Sequence, residues 1–160
     1  MYTVIPATPS QPDIRALIAH LDAWQSQLYP EESNHLLDLS DIPESTLILF
    51  AIRHESGETV GCGAVVLDGH GAGEMKRVYI DERHRGQKLG ERLLETLEKA
   101  ALERGCHTLR LETGIKQPAA KTLYMRCGYQ QRSAFAPYED DPLSIFMEKG
   151  LVEDVRSAIL

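Results

Sequence analysis

Cysteine is scarce in this chain. Of 160 residues only Cys62, Cys106 and Cys127 are cysteines. An odd number at wide spacing excludes a disulfide framework and a zinc-type ligand spacing. Buried free thiols in a reducing compartment are expected instead. No apolar run approaches the roughly 18 residues of a membrane-spanning helix, so no membrane partner is expected. Positive charge is in deficit. Lys and Arg number 17 against 24 Asp and Glu, a formal net charge of -7. Such a field excludes nucleic-acid binding through bulk electrostatics and tolerates a cationic ligand. The six histidines show no H-E-x-x-H or similar pairing, so no metal is expected. The opening MYTVIPATPS has neither a basic nor an apolar targeting region, which reads as cytoplasmic. Repeats and low-complexity tracts are absent.

What is present suits a packed core, with 42% hydrophobic and 26% charged residues. The length suits one domain over 1–160. Residues 1–45 read as an N-terminal strand and helices, and 46–150 as the sheet core. Tyr2 to Ile5 is a short strand candidate. From Asp13, the residues Ile14, Leu17, Ile18, Leu21 and Trp24 recur at helical spacing until Pro30. A second short helix is expected around 31–39. An apolar run at 46–53, a turn at 54–58 and a return strand at 59–67 form a hairpin. A third strand covers 74–80. Leu89, Leu93, Leu94, Leu97, Ala100 and Ala101 then line one helix face, and Gly105 stands where a C-terminal cap belongs. A strand through Leu109 and Leu111 ends at Gly114. Pro118 opens a helix that Gly128 stops. Strands are expected at 129–134 and 144–148. This order places the chain in the α/β (α+β) class, as a mixed sheet flanked by helices.

The stretch 74–90 runs from strand through loop into helix. A helix N-terminus offers unpaired N–H groups and a positive dipole end, which hold phosphates. Lys76, Arg77, Arg83, Arg85, Lys88 and Arg92 make it a basic island in an acidic chain. A polyphosphate ligand and an ordinary solvated helix start both fit.

Val78-Tyr79-Ile80, followed by Arg85-Gly86-Gln87-Lys88-Leu89-Gly90, resembles the coenzyme A-binding motif of the GNAT N-acetyltransferase superfamily. Lys88 stands where that family usually has its middle glycine, and Glu82 where a proline is common. About 30 residues on, Gln117, Ala120 and Tyr124, then Gly128-Tyr129, resemble the family's N-x-x-A-x-x-x-Y motif, with Gln117 replacing the usual Asn. The resemblance covers about 46–150. Together with Leu111 to Gly114 and the segment 141–149, it looks like one bacterial branch of small GNAT proteins.

The resemblance implies a GNAT-like fold with a mostly antiparallel central sheet. It implies acetyl-CoA as cosubstrate and direct acetyl transfer to a primary amine of a small molecule or protein. It implies a cofactor site at Val78, Tyr79, Ile80, Arg85, Gly86, Gln87, Lys88, Leu89, Gly90, Gln117, Ala120 and Tyr124. Glu74 is the first choice of general base. Strand alternation would set it on the same face as Val78 and Ile80, and burial could raise its pKa. Glu112 or a water chain is the alternative base. Tyr124 is the expected general acid toward the coenzyme A sulfur. Glu112, Tyr138 and Asp141 are substrate candidates, with Glu139 and Asp140 beside them. Arg77 points away from Glu74 and could meet a substrate carboxylate. His84 and Cys127 would allow a ping-pong scheme, which direct transfer makes unnecessary. A coenzyme A-binding regulatory module without turnover is the competing reading. A nucleotide-binding protein is disfavoured by the lack of a G-K-[ST] loop and a G-x-G-x-x-G fingerprint. A homodimer is compatible with the apolar tail residues Leu151, Val152, Val155 and Leu160.

Overall fold

The computed structural model describes residues 1–30 and 37–152. Its strands are β1 (Tyr2–Pro6), β2 (Leu47–His54), β3 (Thr59–Leu67), β4 (Ala72–Ile80), β5 (Thr108–Gly114), β6 (Gln130–Arg132) and β7 (Ser144–Gly150). Its helices are α1 (Pro12–Leu28), α2 (Leu89–Glu103) and α3 (Pro118–Arg126). The strands form one sheet in the order β1-β2-β3-β4-β5-β7-β6. Only β4 and β5 run parallel, and every other neighbouring pair is antiparallel. The architecture is thus the mixed, mostly antiparallel sheet flanked by helices that the sequence implies.

The central strands are apolar on both faces because both faces are covered. In β2, Ile48 and Ile52 pack with α2, whereas Leu49 and Ala51 pack with α1. The next strand repeats the alternation, with Val65 on the α2 side and Cys62 and Ala64 on the α1 side. One face of α2 buries Leu89, Leu93, Leu94, Leu97 and Ala101. That helix ends in a Schellman arrangement. Gly105 takes φ +84, and the Cys106 N–H bonds the Ala101 carbonyl at 3.0 Å. Gly128 ends α3 the same way, with the Tyr129 N–H bonding the Tyr124 carbonyl at 3.0 Å.

Three local expectations change. Of the helix expected around 31–39, residues 31–36 lie outside the described residues, and Leu39–Asp41 forms a single 3-10 turn. The strand expected at 129–134 keeps only β6. The chain leaves the sheet there as Phe135 turns inward to stack edge-on against Phe146 and Tyr138. In the tail, Leu151 is buried and Val152 is 85% exposed. Val155 and Leu160 lie outside the described residues.

Candidate active site

The site begins with an irregularity in β4. Ala64 of β3 pairs with Lys76, and Cys62 pairs with Tyr79. Two residues, Arg77 and Val78, therefore oppose the single Gly63, which is a β-bulge. Arg77 carries the strain, at φ +56. The bulge breaks the alternation that the sequence suggests. Glu74 and Lys76 lie opposite Val66 and Ala64, on the α1 face. Val78 and Ile80 pack with the α2-side core. Glu74 and Val78 are thus on different faces, because one extra residue inverts everything beyond it.

The bulge also ends the pairing with β5. The two strands are in register only from Ala72 and Thr108 to Met75 and Leu111. Beyond that point they part, and the backbone edge of β4 opens into a cleft. Three adjoining spaces follow. An outer groove of about 870 Å³ runs between β4, the loop before α2, and α3. A narrow cleft of about 100 Å³ lies at the splay. An inner cavity of about 680 Å³ lies beyond it, walled by segment 135–141. Leu21, Val78, Gln117, Ala120 and Tyr124 border both the groove and the cleft. Glu74 and Lys76 border both the cleft and the inner cavity.

Of the residues expected to hold the cofactor, Val78, Tyr79, Ile80, Arg85, Gly86, Lys88, Leu89, Gly90, Gln117, Ala120 and Tyr124 border the outer groove. Gln87 does not. Its side-chain NH2 donates to the Tyr2 hydroxyl at 2.9 Å, which turns it toward β1. Gly90 is required by packing as well as by the groove, since a Cβ there would stand 2.8 Å from Leu123 of α3. Lys88 caps α2 at φ +60, the left-handed conformation that glycine adopts at less cost. Lys88→Gly should relieve about 1 kcal/mol of strain, raise Tm by roughly 2–4 °C, and remove one cation from the groove. A thermal melt beside a cofactor titration checks both effects.

The basic island is smaller than its charge count. Lys76 pairs with Glu74, Arg77 with Asp22, and Arg83 with Glu58 and Asp81. These three cations are held by carboxylates, and Arg77 lies on the α1 side rather than toward a substrate carboxylate. Arg77 Nη2 also donates to the Leu37 carbonyl at 2.7 Å. The groove keeps Arg85, Lys88 and Lys116; Arg126 also borders it but pairs with Glu91 at 2.6 Å. Arg85 lies over the Tyr79 ring and donates from Nε to the Ile80 carbonyl.

Around the cleft the polar groups are tightly connected. Lys76 Nζ donates to Glu74 Oε2 and to the Tyr138 hydroxyl, both at 2.8 Å. The Tyr138 hydroxyl in turn donates to Glu74 Oε2 at 2.6 Å. Burial, then the bond to Glu74, raises the Tyr138 phenol well above its ordinary pKa. Glu112 Oε2 accepts from the Ser144 hydroxyl at 2.7 Å. Asp141 Oδ1 accepts from the Leu143 N–H at 2.8 Å, so this candidate shapes its own loop while bordering the inner cavity. Tyr124 is 7% exposed, and burial raises its phenol far above the usual value. Its hydroxyl has no hydrogen-bond partner among the described residues.

Comparisons with known proteins identify the family. The model of the acetyltransferase (GNAT) family matches residues 14–129. The chain belongs to that family. The IAA acetyltransferase of Azospirillum brasilense is 43% identical over 150 residues, covering 93% of this chain and 97% of its own. A crystal structure from Klebsiella pneumoniae, provisionally named an acyl-CoA N-acyltransferase, is 58% identical with a TM-score of 0.87. It covers 95% of this chain and 99% of its own. A GNAT acetyltransferase from Elizabethkingia anophelis, solved with acetyl-CoA bound, shares the fold at TM-score 0.63 and 17% identity. It covers 94% of this chain and 98% of its own. This GNAT chain is accordingly an acyltransferase. No helix among its described residues is long and apolar enough to cross a membrane.

Sequence reasoning missed several residues of the GNAT cleft. Lys76 was read only as part of the basic island, and its partners come from β4 and from residue 138. Leu21 and Trp24 mark the helical period of α1 and also border the groove. Tyr29 was not singled out, although it borders the cleft beside Gln25. Only contacts across many residues of sequence reveal them. The thiols do not suit a ping-pong scheme. Burial pushes Cys62 up to about 12 and raises Cys127 as well, so neither is a ready thiolate.

Proposed function

We propose that this protein transfers an acetyl group from acetyl-CoA directly to a primary amine of a small molecule or protein. The observation that supports it best is that the three spaces adjoin in sequence and share lining residues. A long groove suits coenzyme A, the splayed β4–β5 cleft suits the thioester, and the inner cavity suits the amine. The groove residues fit the cofactor's chemistry. The positive N-terminal end of α2 with Arg85 and Lys88 would face the pyrophosphate. Gln117 and the open edge of β4 would face the amides of the pantetheine arm.

Glu74 stands between the cleft and the amine cavity. Both of its donors bond Oε2, which leaves Oε1 to take a proton from the incoming ammonium. The neutral nitrogen then attacks the thioester carbonyl. Backbone N–H groups of β4 near Val78 would stabilise the oxyanion. As the C–S bond breaks, Tyr124 gives its phenolic proton to the sulfur. The second nitrogen proton leaves to solvent, Glu74 gives its own proton up to solvent, and solvent restores the phenol. Burial keeps the Tyr124 phenol protonated before the reaction, and the same burial would raise the proton affinity of the leaving thiolate beside it.

Release of free thiol from acetyl-CoA across an amine panel tests this reading. With an accepted amine, Tyr124→Phe should lower kcat by about 10²-fold while acetyl-CoA affinity stays within about threefold. A fall in affinity alone would assign Tyr124 to binding. Acetyl-CoA binding without turnover on any amine would make the protein a coenzyme A-binding module.

A further inference from the structure

Tyr29, the residue that closes α1, reaches across 87 positions of sequence to the turn between β5 and α3. Its hydroxyl accepts a bond from the Lys116 N–H at 3.1 Å and lies 3.2 Å from Gln117 Oε1. A backbone N–H only donates, so the hydroxyl's own proton goes to Gln117. Lys116 completes the joint from the other side. Its Nζ donates to the Leu28 carbonyl at 2.7 Å, at the C-terminal end of α1, and lies over the Tyr29 ring. The phenol fits only because Gly114 has no side chain. A Cβ at that position would overlap the Tyr29 hydroxyl.

Resting on the acetyl-CoA reading above, we propose that Tyr29 is a positioning residue for the cofactor's pantetheine arm. Its hydroxyl holds the oxygen of the Gln117 carboxamide. The NH2 group, which has no partner among the described residues, is then the end that faces the groove Gln117 borders. An amide oxygen of the arm is the acceptor such a donor fits. The same joint ties α1 to the β5–α3 turn. Both elements contribute residues to the groove lining. Tyr29 itself need not touch the cofactor. The free rotation of a glutamine side chain would otherwise oppose binding.

The test measures acetyl-CoA binding through the fluorescence of Trp24, the single Trp of the chain, which borders the groove. Calorimetry and steady-state kinetics accompany it. Tyr29→Phe should raise Kd and KM for acetyl-CoA about fivefold, with kcat and the KM of the amine within about twofold. Gln117→Leu should weaken binding at least as much. The double variant should bind no worse than Gln117→Leu alone, because both changes remove one pathway. Gly114→Ala, which expels the phenol, should copy Tyr29→Phe. A Tyr29→Phe protein that melts lower yet binds acetyl-CoA with unchanged affinity would overturn the proposal. So would additive losses in the double variant. Wild-type protein that binds no acetyl-CoA would overturn the acetyl-CoA reading itself, which is a separate result.

Discussion

Glu74→Gln should lower kcat/KM for an accepted amine by about 10²- to 10⁴-fold, the usual weight of one general base. Glutamine keeps the shape of the side chain and an oxygen for Lys76 and Tyr138, so the three-residue cluster should persist. What it loses is an oxygen able to take a proton. Acetyl-CoA affinity should therefore stay near wild type, because the cofactor groove lies on the other side of the cleft from Glu74. The comparison with Glu112→Gln decides between the two candidates. Glu112 stands on β5 with one oxygen bonded by Ser144. A large loss in Glu112→Gln and none in Glu74→Gln would move the base to β5. A small loss in both would leave the proton to water.

Gly86→Glu should weaken acetyl-CoA binding by 10²-fold or more. Gly86 borders the groove at φ +84, and a Cβ there would meet nothing within 4 Å. The fold therefore accepts a side chain at the cost of left-handed strain, on the order of 1 kcal/mol. The new carboxylate would stand where the pyrophosphate is expected. One pair of like charges about 5 Å apart near a protein surface costs about 3 kcal/mol, which is about 10²-fold in affinity. Gly86→Ala separates the causes. It carries the same backbone strain without the charge, so it should lose a few degrees of Tm and keep most of its affinity. Equal binding by Gly86→Glu and wild type in calorimetry would remove the phosphates from this loop.

The elements of the fold were legible where the signal is local. Leu89, Leu93, Leu94 and Leu97 announce α2 because a helix places neighbours three and four apart on one face. Gly105 and Gly128 announce helix ends because a left-handed residue there costs glycine least. Lys88 breaks that rule, and the structure holds it left-handed all the same, because the chain must turn into α2 at that residue. The groove was legible through its two motifs, which sit on consecutive loop-to-helix junctions. Gln87 belongs to the first motif, yet its side chain goes to Tyr2 of β1.

The chemistry beyond the motifs was not legible, and Arg77 shows why. Alternation along 74–80 is a sound inference for a regular strand. A single bulged residue leaves the composition untouched and inverts which face each later side chain takes. The partners of Lys76 are similar. Its charge is visible at once, but the Tyr138 hydroxyl that joins its pair with Glu74 comes from a loop 62 residues away.

The sequence by itself determined the class of fold, the order of its elements and the two motifs on which the proposed cofactor groove rests, since each depends on neighbours a few residues apart. Tertiary structure alone decided which cations stay available, which face Glu74 takes, and that Tyr29 occupies the space above Gly114. Those outcomes depend on contacts between strands and helices far apart in the chain, where register and packing, not local preference, set the energy.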